Sequence, residues 1–164
     1  TELSDLNGIL GEVVAAESGY ERVIETAMAP GELMMNVHPL SIKRAAANMV
    51  VNAARYGNGW IKVSSGRELQ RGWFQVEDDG PGIKPEELKH LLQPFVRGDS
   101  ARSTSGTGLG LAIVQRIIDG HHGALDIGTS ERGGLLIRAY IPLPMEKKES
   151  ANGHQAVKDS AKLP

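Results

Sequence analysis

The chain has no cysteine in its 164 residues. That excludes a disulfide framework, a thiolate nucleophile and a Cys-based metal site, and it fits a reducing compartment. Charge of one sign is also lacking: the formal net charge is −2, which leaves no electrostatic footprint for nucleic acid. No apolar run approaches the ~18 residues needed to span a bilayer, and no signal-peptide pattern precedes the first helical one. Direct membrane contact is therefore not expected. Internal repeats are absent, and Thr1 rather than Met opens the chain, which suggests a fragment of a longer protein.

Glycine, by contrast, is in excess. The 20 glycines make up about 12% of the chain against a usual ~7%. Ten lie between Gly57 and Gly110, interrupted throughout by hydrophobic segments. This reads as several special loops converging on one region, where backbone approaches a ligand closely.

The hydrophobic periodicity divides the chain into elements. Leu6, Ile9, Leu10, Val13 and Val14 recur at helical spacing, with Ser4 or Asp5 as the cap and an end near Gly19. Residues 22–28 and 32–37 flank Pro30-Gly31 and read as a hairpin. Pro39 opens a long helix through Tyr56, stopped by Gly57-Asn58-Gly59. Residues 60–64 and 73–77 form an antiparallel strand pair. A loop at 78–82 and a short helix at 85–92 follow, then an aperiodic Arg/Ser/Gly stretch at 96–106 that looks mobile. A further helix runs from Leu109 to about Asp119, and strands at 124–128 and 135–142 turn at Arg132-Gly133-Gly134. Helices and strands so arranged imply an α+β two-layer sandwich, with helices packed on a mixed, largely antiparallel sheet. Residues 145–164 are polar without an apolar face and read as a disordered tail.

Three stretches carry chemistry. In SGTGLGLAIVQRI, residues 105–117, a glycine-rich turn feeds a helix N-terminus whose free N–H groups and dipole favour an anion. It has neither the Lys-Ser/Thr of a P-loop nor the third Gly of a dinucleotide fingerprint, so the charge of a polyphosphate must be balanced elsewhere. In ANMVVNAARYG, Asn48 and Asn52 stand at i and i+4 on one helix face. Their side-chain oxygens suit Mg²⁺, a hard cation commonly shared with nucleotide phosphates, although a buried hydrogen-bonded pair or an exposed polar stripe gives the same pattern. In VEDDGPGI, Asp78 and Asp79 follow a strand and precede Gly80 and Gly82. A carboxylate there can accept a hydrogen bond from an exocyclic amino group, although Asp-Gly is also an ordinary turn.

NMVVNAARYGNGWIKVSSG, FQVEDDGPGI, QPFVRGDSAR and SGTGLGLAIVQRI together resemble the ATP-binding catalytic domain of sensor histidine kinases in the GHKL ATPase superfamily, over roughly residues 1–144. The resemblance implies a Bergerat-type fold of three main helices on a five-stranded sheet. It implies ATP and Mg²⁺ as cofactors, with Asn52 the more direct Mg²⁺ ligand and Asn48 the second. Asp78 matches the adenine-reading carboxylate, completed by Gly80, Gly82 and Ile83. Gly106, Thr107, Gly108, Leu109 and Gly110 match the phosphate segment, and Arg55 and Tyr56 the basic and aromatic pair after the asparagines. Phe95 and Thr129 belong to the expected nucleotide pocket, while Arg97 and Arg102 lie in the segment resembling the ATP lid, about 90–106, and would reach the γ-phosphate. Arginine suits that role because its planar fork stays ionised and binds phosphate oxygens bidentately. One departure is Leu92, where the family often has Phe in an F-x-P-F run. Leucine fills similar space, so altered packing rather than lost binding is expected.

The five histidines, His38, His90, His121, His122 and His154, lack the H-E-x-x-T-P setting of the family's phospho-acceptor. Surface or capping roles are expected for each. The expected partners are a histidine-bearing dimerisation domain outside this chain and a response regulator, with the isolated domain monomeric, the parent homodimeric and the domain cytoplasmic on an inner-membrane protein. The related ATPases have a Glu where Asn48 stands, which disfavours hydrolysis. The rival readings are a nucleotide-sensing module that controls regulator docking or dephosphorylation, and an ATPase of the GHKL type, against which the absent Glu counts.

Overall fold

A computed structural model of the chain describes residues 1–19, 22–84, 86–87 and 107–145, and for residues 107–109 the backbone only. The first helix and its cap lie where the periodicity puts them. Asp5 caps α1 (Leu6–Glu17) by accepting the N–H of Asn7 at 3.1 Å, and Leu6, Ile9, Leu10 and Val13 are buried. Ahead of it, Glu2–Asp5 forms a short strand, β1, which the polar sequence does not announce.

The expected hairpin at 22–28 and 32–37 does not form. Both strands exist, as β2 (Ile24–Ala27) and β3 (Met34–Val37), but they join different sheets. β3 pairs antiparallel with β1, whereas β2 pairs parallel with β4. Pro30-Gly31 does turn the chain, with Gly31 at φ +74°. The turn is held from α1: Asn7 Nδ2 donates to the carbonyls of Ala29 and Gly31, each at 2.9 Å. A local reversal signal fixed the turn, while longer-range partners chose the pairing.

The main sheet has the order β2-β4-β5-β7-β6, with β4 Ile61–Glu68, β5 Arg71–Asp78, β6 Ala124–Thr129 and β7 Leu135–Pro142. All its pairings other than β2 with β4 are antiparallel, so the expected five-stranded mixed sheet is the one found. β4 and β5 run longer than the sequence suggests and meet in a tight turn where Leu69 has φ 54°. Gly66 and Gly72 thus lie inside strands rather than in a loop, and a Cβ on Gly66 would fall 2.4 Å from the Trp73 ring.

The helix layer covers one face of this sheet. α2 (Pro39–Tyr56) packs between α1 and α3 (Thr107–Gly120) and also touches β5. Alternation along the strands sends Ile61, Val63, Phe74, Val76, Ile137, Ala139 and Ile141 into the core against Ile42, Met49, Val50, Leu111, Val114 and Ile118. On the opposite face, Arg138 stacks on Trp73 at 4.1 Å and Arg71 on Tyr140 at 3.9 Å.

Two histidines expected at the surface or in caps tie this layer together. The buried His121 accepts the backbone N–H of His38 on Nε2 at 3.0 Å, while its Nδ1 lies 2.7 Å from the Ile117 carbonyl. An accepting Nε2 leaves the proton on Nδ1, which donates to Ile117. The start of α2 is thereby fastened to the end of α3.

Candidate functional site

The period of two that buries Phe74 and Val76 also points Asp78 inward, placing a carboxylate at the end of an apolar row. Asp78 is 2% exposed. Burying a carboxylate needs donors, and the chain supplies them from its backbone. Oδ1 accepts the N–H of Gly80 at 2.9 Å and of Leu135 at 3.0 Å. Among hydrogen bonds between described residues, Oδ2 receives none.

Two glycines let the backbone close around this group. A Cβ on Gly80 would sit 2.3 Å from the Tyr56 carbonyl oxygen, and one on Gly134 would sit 2.4 Å from Asp78 Oδ1. Gly82, at φ +75°, carries the loop past the β6–β7 turn, and Ile83 packs on the edge of the core. Thr129 is exposed at the end of β6, opposite Leu135 in register.

Asp79 does something different from its neighbour. Its Oδ1 accepts the N–H of Asn58 at 2.8 Å and of Trp60 at 3.2 Å, stapling the turn after α2 to the end of β5. Desolvation pushes its carboxyl upward, but the N–H groups of Asn58, Trp60 and Asp79 itself, with the charge of Arg132, hold it below the usual value. Arg132 also lies over the Trp60 ring at 4.3 Å. Asp79 is thus a structural carboxylate and Asp78 is the one set in a glycine-lined seat.

Asn52 is 8% exposed on the core side of α2 and Asn48 is half-buried one turn earlier. No hydrogen bond of either side-chain amide is found among the described residues. Two side-chain carbonyl oxygens one helical turn apart, with no hydrogen-bond partner among the described residues, fit a hard divalent cation that keeps several waters. Arg55 and Tyr56 are exposed in the last turn of α2.

The helix after the glycine segment starts at Thr107, two residues earlier than the sequence suggests. Thr107, Gly108, Leu109 and Gly110 therefore form its first turn, whose four N–H groups have no partner within the helix. No Cβ stands at Gly108 or Gly110, and a Cβ on Gly110 would meet nothing within 4 Å. Together with the helix dipole, these free N–H groups favour an anion. Phe95, Arg97, Arg102 and Gly106, the 85–92 helix beyond residues 86–87, His90, His154 and the tail after Met145 lie outside the described residues.

Sequence reasoning missed the supports on the far hairpin. Ser130 Oγ donates to the Asp78 carbonyl at 2.6 Å, and Leu135 and Gly134 complete the seat. The double glycine at 133–134 was the available signal, but it reads equally as a plain turn.

Comparison with known proteins agrees with this geometry. Residues 37–145 match the family described as histidine kinase-, DNA gyrase B-, and HSP90-like ATPase. The NMR structure of the histidine kinase domain of the Escherichia coli osmosensor EnvZ is 75% identical, with a TM-score of 0.70, covering 88% of this chain and 89% of that one. Sensor histidine kinase CpxA of Escherichia coli K12 is 32% identical over 153 residues, covering 84% of this chain and 34% of the relative. Sensor protein RstB of the same strain is 44% identical over 104 residues, covering 62% of this chain and 24% of the relative. The chain thus spans about a third or less of the length of these two curated relatives. The match of residues 37–145 and the likeness of the fold to these proteins place the chain in the histidine kinase-, DNA gyrase B- and HSP90-like ATPase family, as the ATP-binding catalytic domain of a sensor histidine kinase.

Proposed function

We propose that the domain binds ATP with Mg²⁺ and passes the γ-phosphoryl to a histidine on a separate helical dimerisation domain, for relay to a response regulator. The parent protein is then a homodimer held at the inner membrane, with residues 1–144 as the catalytic unit and 145–164 as a tail. Likeness to an osmosensor supports a role in osmoregulation. The observation that carries the reading is the Asp78 seat: one carboxylate oxygen is occupied by backbone donors and the other is left for an amino group.

The residues divide the work. Asp78 Oδ2 accepts from the adenine amino group, with Gly80, Gly82, Ile83 and Thr129 around the base and Tyr56 along it. The first-turn N–H groups at 107–110 bind phosphate oxygens. Asn52 and Asn48 would hold Mg²⁺, which when bound offsets phosphate charge. Arg55, Arg97 and Arg102 add positive charge, the latter two toward the γ-phosphate, beside Phe95 and Gly106. Phosphoryl transfer needs positioning and charge stabilisation, so no protein nucleophile is required here. Asn48 cannot take a proton from water as a carboxylate can, which favours transfer over hydrolysis. The two histidines His38 and His121 are engaged with each other, and His122 sits in a turn at φ 58°.

The test is reconstitution in trans. Labelled ATP and this domain, mixed with a separately made dimeric domain bearing an acceptor histidine, should give acid-labile label on the acceptor and none on its His→Ala form. The rate should rise with either partner's concentration, because untethered partners lack the roughly millimolar effective concentration of a tether. Stable label on this chain alone would refute the reading.

A further inference from the structure

The β6–β7 turn does more than connect two strands. The hydroxyl of Ser130, in a residue only 6% exposed, has its full complement of hydrogen bonds. It donates to the Asp78 carbonyl at 2.6 Å and accepts the N–H of Gly134 at 3.0 Å and of Arg132 at 3.2 Å. The turn is also closed on itself, with Ser130 N–H to Gly134 O at 2.8 Å and Gly133 N–H to Ser130 O at 3.0 Å. One residue later, Leu135 N–H reaches Asp78 Oδ1 at 3.0 Å.

We infer that Ser130 is a positioning residue that sets the domain's preference for adenine, by fixing which oxygen of Asp78 faces the base. The inference rests on the reading of Asp78 as the adenine acceptor. Three bonds make Ser130 Oγ the pin between the turn and the end of β5. With the pin in place, the Leu135 N–H stands at a fixed distance from Asp78 and keeps Oδ1 occupied. Oδ2 then presents lone pairs in one direction only. A base with an amino group there gains a charge-assisted hydrogen bond, whereas a base with a carbonyl there meets repulsion between lone pairs. Without the pin, the turn and its N–H can drift, and the carboxylate can rotate away from either base. Discrimination then narrows from both sides: the amino base gains less and the carbonyl base is repelled less.

Ser130 touches no base in this arrangement, and its sequence context, a serine four residues before a glycine in a hairpin turn, gives no hint of a role at the nucleotide. Its effect is on specificity. A purely structural serine would lower stability and weaken all nucleotides alike.

The experiment compares ATP with ITP, which differs by carrying a carbonyl in place of the exocyclic amino group. Equilibrium titrations with Mg²⁺ are run on the full chain, on Ser130→Ala, on Ser130→Thr and on Asp78→Asn, with folding followed by thermal unfolding. Ser130→Ala should weaken ATP several-fold and strengthen ITP slightly, so the ATP/ITP preference falls about tenfold, a loss of about 1.4 kcal/mol. Ser130→Thr, which keeps the hydroxyl, should restore most of the preference. If Ser130→Ala does not fold, Ser130→Cys fills the same space with a weak donor and carries the same comparison. A folded Ser130→Ala that keeps the original ATP/ITP ratio would overturn the inference. The two failures separate cleanly: if Asp78→Asn collapses the ratio and Ser130→Ala does not, only the positioning role falls. If the unaltered chain shows no ATP preference, the reading of Asp78 falls and this inference with it.

Discussion

Asp79 and Asn58 hold each other across 21 residues: Asp79 Oδ1 accepts the Asn58 N–H at 2.8 Å and Asn58 Nδ2 donates to the Asp79 carbonyl at 3.0 Å. The carboxylate form makes these bonds best, so its titration point in the folded chain lies below the ordinary 3.8. The stability it contributes is then fully present above pH 3.8 and is lost as pH falls through the lower, folded value. Urea unfolding of the original chain and of Asp79→Asn should show a constant gap at neutral and mildly acidic pH, closing only at strongly acid pH. A gap that closed near neutrality would contradict the staple.

Asn52→Ala removes an oxygen from α2 and keeps the helix propensity high, so folding should survive. ATP affinity in the mutant should lose its dependence on Mg²⁺, while affinity without the ion stays close to that of the original chain. Calorimetric titration with and without Mg²⁺ checks this, and equal Mg²⁺ dependence in both proteins would remove Asn52 from the ion.

Asp78→Asn preserves an oxygen for the N–H groups of Gly80 and Leu135, so the seat should persist. The amide is a weaker, neutral acceptor toward adenine. Loss of a charge-assisted bond should cost about 1.5 to 3 kcal/mol of ATP binding. Competition between ATP and GTP reads the effect, and an unchanged preference would argue against base reading.

Gly80→Ala places a methyl group 2.3 Å from the Tyr56 carbonyl oxygen, a backbone atom that cannot swing aside. We expect about 1 to 3 kcal/mol of destabilisation and a loss of ATP affinity in whatever remains folded. Gly110→Ala is the contrast, since its added Cβ meets nothing within 4 Å. Denaturant unfolding of the pair should separate them.

His121→Ala strands the His38 N–H and should cost about 1 to 3 kcal/mol in urea unfolding, while the Ile117 carbonyl keeps the backbone N–H of residue 121. ATP affinity of the folded protein should barely move, because this tie lies at the opposite end of α3 from its first turn. A selective loss of nucleotide binding would show instead that the tie sets the helix start.

Local signals were legible wherever one element decided its own fate. Pro39, the apolar stripe through Met49, Val50 and Ala53, and Gly57 fixed α2 to the residue. The glycines beside Asp78 announced close backbone, whereas its inward direction was not read, because the strand was ended at residue 77 and β5 runs on through Asp78. What failed depended on partners distant in sequence. Pro30-Gly31 turns the chain as expected, yet β2 goes to β4 and β3 to β1, because Asn7 and the strand registers decide the pairing. His121 looked like a turn residue because nothing local tells of His38, which lies 83 positions away. The supports of Asp78 on the far hairpin were hidden for the same reason, being 52 and 57 positions away.

That last separation has a consequence for how the domain comes into being. β5 is made well before β7, yet β5 lies between β4 and β7 in the finished sheet. During synthesis, which proceeds at about 5 to 20 residues per second from the N-terminus, Asp78 waits for Ser130, Gly134 and Leu135 to emerge. A nascent chain that has only reached α3 holds the asparagines and the start of that helix, but its Asp78 still lacks the Leu135 N–H and the Ser130 hydroxyl. On the proposed reading of Asp78, selectivity for the base is therefore acquired only after β7 has emerged, and a truncation that removes β7 would take it away.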